Sequence, residues 1–154
     1  MERIADRDAA LETLDEIAEN CMDGEYGFTQ CAEHAKSPSL KSFFIQRAQG
    51  CKAAHAELQT MIVSMGGEAD AGGTTAGALH RGWLAVRGAM ALNDDHAMLV
   101  ECERGEDVAL ARYRRALEEI LPPDVEQLLR RQLEGAQRNH DEVKRLRDSA
   151  VAAV

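Results

Sequence analysis

The chain has 154 residues, 27 acidic and 18 basic, for a formal net charge of −9; apolar and sulfur side chains make up 45% of it and aromatic rings only 4%. The length suits a single domain, residues 1–154, with enough chain to bury a core without staples. The acid excess argues against nucleic-acid binding and against an anchor on anionic lipid, and the apolar fraction against a disordered acidic chain.

The opening stretch from Met1 to Asp8 is charged and holds no apolar segment, so no secretory signal is expected. From about 6 to 36, Leu11, Leu14, Ala18, Cys21, Glu25, Phe28 and Ala32 recur at steps of three and four, the period of a helix with one buried stripe. Ser37-Pro38 then reads as an N-cap followed by proline at the first helical position, where a missing N–H costs nothing. The second helix, about 38–65, carries Phe44, Ala48, Cys51, His55, Leu58, Ile62 and Met65. A glycine-rich loop, Gly66 to Gly73, ends it.

Leu79, Trp83, Val86 and Met90 line one side of a shorter helix over about 74–92. This stretch holds Arg81 and Arg87 and no acid, a basic island in an acidic chain and a candidate contact for a partner; His80 and Trp83 read as cover for the bundle. Asn93-Asp94-Asp95 forms a further break. The helix over about 95–120 carries Leu99, Glu103, Glu106, Leu110, Tyr113, Leu117 and Ile120. Pro122-Pro123 and Asp124 start the last, about 123–150, with Val125, Leu129, Leu133, Ala136, His140, Val143 and Ala150.

No alternating β-branched run appears, so the fold class is all-α: four long helices in two antiparallel hairpins, with the short helix crossing over between the second and third. That connection allows the third helix to run parallel to the second. The four cysteines, Cys21, Cys31, Cys51 and Cys102, make no CxxC pair. They read as reduced packing thiols of a cytoplasmic protein. No stretch approaches the roughly 18 apolar residues of a membrane span.

A weak repeat links the hairpins. Cys21 to Glu25 and Cys102 to Glu106 share C-x-x-G-E; Gly50 to Leu58 and Gly135 to Val143 share G-x-x-x-x-H-x-E followed by an apolar residue. The first and third helices thus place Glu25, Glu103 and Glu106 inside apolar stripes, and the second and fourth place His55 and His140. A buried carboxylate costs several kcal/mol unless it is paired or ligates a metal. Glu57 and Glu142, turned by about 200° from each histidine, are read as solvated. The helical glycines Gly24, Gly27, Gly50, Gly105 and Gly135 are read as points of close helix approach.

The two-hairpin plan with its crossover resembles the ferritin-like superfamily. The chain from about Leu11 to Asp148 resembles more closely an uncharacterised bacterial family of ferritin-like four-helix bundles, a domain of unknown function. The resemblance is carried by DGEYGF at Asp23 to Phe28, Ser37 to Lys41, and GGE at Gly66 to Glu68. It is strongest in AGALHRGW at Ala76 to Trp83, ECERGED at Glu101 to Asp107, and LPP at Leu121 to Pro123. It implies the fold and brings no substrate or reaction with it.

The superfamily's di-iron centres take Glu-x-x-His from the second and fourth helices. Here Lys52 and Gln137 stand three residues before His55 and His140, so both bridging carboxylates are missing. Glu25 lies about 18 Å of helix from the first turn and His55 about 27 Å, so the two are not level; Glu19 is nearer that height. Glu103 and His140 are level. The favoured reading is a non-enzymatic structural, assembly or stress-associated bundle, with a metal-free hydrogen-bonded or ion-paired layer and no cofactor. A homo-oligomer or a protein partner would suit it. The alternative is an iron- or manganese-dependent oxidase or peroxide-consuming protein with ligands drawn from His55, Glu103, Glu106, His140 and Glu25.

Overall fold

The computed structural model describes residues 5–69 and 94–152. They form four α-helices: α1 (Arg7–His34), α2 (Pro38–Ser64), α3 (Asp95–Leu117) and α4 (Pro123–Ala152). The four long helices of the sequence are thus all present, within a few residues of their expected limits. The short helix expected over 74–92, with His80, Arg81, Trp83 and Arg87, lies outside the described residues, as does the loop beyond Ala69. Among the described residues there is no strand, and no helix is long and apolar enough to cross a membrane.

The first three helix starts have a local cause. The Asp6 carboxylate accepts from the N–H groups of Asp8 and Ala9, and Asp94 does the same for His96 and Ala97. Ser37 caps α2 through a bond from Leu40 N–H, with Pro38 at the first position. The α2 C-terminus turns at Gly66, whose φ of 85° favours glycine. Arg7 closes this end by donating from Nε to the Met65 carbonyl at 2.7 Å.

Two tertiary contacts set the direction of the second hairpin. Asp95, in the first turn of α3, accepts from Lys36 N–H at 2.9 Å and Ser37 N–H at 3.1 Å in the α1–α2 turn. At the opposite end, Thr13 on α1 donates to Glu119 just beyond α3 at 2.6 Å. Consequently α3 runs antiparallel to α1 and parallel to α2, and α4 returns alongside α2.

The core is divided in two, and each half draws on all four helices. One cluster gathers Leu14, Ile17, Leu58, Ile62, Tyr113, Val125 and Leu129. The other gathers Phe28, Phe44, Met98, Leu99 and Val143, with Cys31 and Cys102 packed Sγ to Sγ at 3.6 Å. Phe28 and Phe44 stack with ring centroids 6.3 Å apart. Between the two clusters the apolar packing is interrupted, and Arg47 and Glu106 lie there.

Candidate functional site

The interruption is a cavity of about 380 Å³ walled by all four helices. Each helix contributes a glycine: Gly24, Gly50, Gly105 and Gly135. These are the glycines of the two repeated motifs. Gly24 fits the expectation of close approach, since a Cβ there would stand 2.8 Å from Cys51 Sγ. At Gly135 a Cβ would meet nothing nearer than the Arg138 tip at 3.6 Å, and at Gly50 only the Arg47 tip at 3.0 Å. At Gly135 the missing side chain leaves room rather than joining helices.

Glu106 is the buried charge of the cavity, with 7% of its surface exposed. Arg47 reaches across from α2, Nη2 standing 3.5 Å from Glu106 Oε1. The Arg47 guanidinium also lies over the Phe28 ring, 5.2 Å from its centroid, a cation–π contact that holds it in place. The ion pair lacks hydrogen-bond geometry: neither Glu106 oxygen nor Arg47 Nε has a hydrogen-bond partner among the described residues. Burial pushes the Glu106 carboxyl up to about 7, against the pull of Arg47 and His140. Sequence periodicity carried a signal for Arg47, which stands three residues after Phe44 and four before Cys51, within the α2 stripe.

The opposite wall is internally satisfied. Tyr113 Oη donates to Gln132 Oε1 at 2.9 Å and touches Cys21 Sγ at 3.7 Å. Gln132 Nε2 donates in turn to the Ala54 carbonyl and to Glu57. Glu57, expected on a solvated face, is instead half-buried, bonded by Arg131 across the α2–α4 seam, and held below the usual carboxylate range by that guanidinium. Helix rotation sends it away from His55, and α4 packs where open water was expected. Glu142 pairs on the surface with Arg145. Burial raises the Cys21 thiol to about 11 and Cys51 to about 12, as suits packing thiols rather than nucleophiles.

The five residues singled out as possible metal ligands are distributed over several contacts. Glu103 and His140 meet, with Nε2 3.9 Å from Oε1, as their equal height implied. Glu103 is claimed more closely by Arg147, and His140 Nε2 lies 2.6 Å from Asp107. Glu106 faces Arg47. His55 is half-buried, its Nε2 3.4 Å from Gln59 Nε2, and no ion pair or hydrogen bond joins it to Glu103, Glu106 or His140 among the described residues. Glu25 is half-buried, with its charge bearing on Cys51. Among the described residues no group of three or more His, Cys, Asp or Glu is arranged to hold a metal ion. Arg47, Arg147 and Asp107 were not singled out from the sequence. Arg147 stands four residues after Val143, again inside a stripe.

Residues 9–119 match the model of a family described as a domain of unknown function, DUF2383. The chain belongs to that family. The matched span runs from the start of α1 to just beyond α3 and contains Arg47 and Glu106. No curated protein matches the chain.

Proposed function

We propose that this family member is a non-enzymatic, ferritin-like helical bundle of the cytoplasm, acting by assembly with copies of itself or with another protein, in a structural or stress-associated role. One observation carries the reading. The carboxylates that a ferritin-like plan would turn toward metal face guanidinium groups: Arg47 against Glu106 and Arg147 against Glu103. A fixed guanidinium competes electrostatically for the place of a metal cation. Lys52 is exposed, and Gln137 is bonded to Arg114 and Asp141, so neither position supplies the bridging carboxylate of Glu-x-x-His. The parallel course of α2 and α3 agrees with the crossover of that plan. The net charge of −9 supports a protein partner over nucleic acid or an anionic membrane.

Elemental analysis of protein purified without an affinity tag, paired with light scattering after gel filtration, tests both halves. Expected are no stoichiometric iron or manganese and a mass above one chain. Stoichiometric metal that disappears in His55→Ala or His140→Ala would overturn the non-enzymatic reading in favour of the oxidase. A protein monomeric at every concentration would remove self-assembly.

A further inference from the structure

The cavity has an open chemical demand that the assembly role does not use. Arg47 Nε is a buried donor and the Glu106 carboxyl a buried acceptor pair, and none has a hydrogen-bond partner among the described residues. Leaving such groups unpaired costs about 1–3 kcal/mol each. The other polar groups named in the wall are already bonded to one another: Tyr113 to Gln132, and Gln132 to Ala54 and Glu57.

We propose that the cavity binds a small, uncharged, planar molecule with a hydrogen-bond donor and an acceptor on one edge, the chemistry of an amide, a lactam or an N-heterocycle, lying edge-on against the paired Arg47 and Glu106 side chains. The charge balance selects this class. A ligand carboxylate would answer Arg47 but set a second carboxyl beside Glu106; an ammonium would answer Glu106 but face Arg47. A neutral edge takes the Arg47 N–H on its acceptor and gives its own N–H to Glu106, leaving neither side unpaired.

Size and shape agree. The volume of about 380 Å³ falls at the small end of ligand pockets. Phe28, Ala54, Ala109 and Ala136 give apolar walls, and the exposed Gly50 and Ala53 place part of the lining at the surface. A glycine in a helix costs about 1 kcal/mol against alanine. At Gly135 packing does not demand one, since a Cβ there meets only ordinary contact. A need for open volume accounts for it.

Isothermal titration of the full chain with benzamide at pH 8.5, where the Glu106 carboxyl is ionised, with benzoate, benzylamine and toluene as comparators, tests the proposal. Benzamide is expected to saturate one site and to bind about tenfold or more tighter than each comparator, the worth of hydrogen bonds to charged groups. Glu106→Leu should weaken benzamide by about the same factor. Ala53→Trp, at an exposed wall position, should abolish binding without touching the buried pair, and circular dichroism checks that it folds. The proposal is wrong if benzamide shows no saturable binding. It is equally wrong if benzoate, benzylamine or toluene binds as tightly, or if folded Ala53→Trp binds benzamide like the parent.

Discussion

Replacing Glu106 by glutamine isolates the energetic consequence of burying one carboxyl. In the unfolded chain the group titrates near its ordinary 4.5; in the folded protein burial lifts it to about 7. Below 4.5 the carboxyl is protonated in both states and carries no penalty. As pH rises through the window from 4.5 to about 7, the unfolded chain gives up its proton first, so the folded state loses stability by about 1.4 kcal/mol per pH unit. The accumulated loss is about 3 kcal/mol. Glutamine has the shape of the protonated acid and no such titration. The Gln variant should therefore match the parent near pH 4.5 and exceed it by about 3 kcal/mol above pH 7, or roughly 6–12 °C in Tm for a chain of this size. Arg47 from α2, His140 from α4, and Asp107 and Cys102 on α3 bear on Glu106 and are common to both proteins. Urea denaturation of the pair at closely spaced pH values, repeated in a His140→Asn background to remove the partner on α4, gives the difference directly. A stability difference that stays flat with pH would refute the burial argument.

The cavity glycines should respond in opposite directions. Gly24→Ala sets a Cβ 2.8 Å from Cys51 Sγ and should destabilise by about 1–3 kcal/mol, relieved in a Cys51→Ala background. Gly135→Ala meets only ordinary contact and should stabilise by about 0.5–1 kcal/mol; urea midpoints of the variants decide, and equal effects would contradict the assigned geometry. Asp95→Ala removes two charge-assisted bonds that tie the α1–α2 turn to the start of α3. A loss of about 1.5–3 kcal/mol in urea unfolding is expected, and an unchanged midpoint would show that the turn is held by other contacts.

Much of the helical framework is local physics and was legible in the residues. Ser37-Pro38, Asp94 and Pro122-Pro123 mark where helices start or stop, and the three- and four-residue spacing of Leu14, Phe28, Leu58, Leu99 and Leu129 marks the faces that water leaves. The same period placed Glu106 and His140 among apolar neighbours. What each would face was not legible. Periodicity gives a side chain's angle around its own helix but not the angle and offset at which another helix meets it. Arg47 occupies a stripe position on α2, yet only the packing of α2 against α1 and α3 sets it between Phe28 and Glu106.

For the same reason Glu57 turned out to be bonded across the α2–α4 seam, and Gly24 proved a point of contact where Gly135 leaves room. Net charge alone does not separate a solvated acid from a buried one. Sequence alone therefore indicated the four described helices, to within a few residues at their ends, and the faces they bury, because these follow from backbone hydrogen bonding and the 3.6-residue period. Tertiary structure alone decided that the central layer is a cavity with an arginine facing its carboxyl, because that depends on which helices are neighbours and how closely they approach.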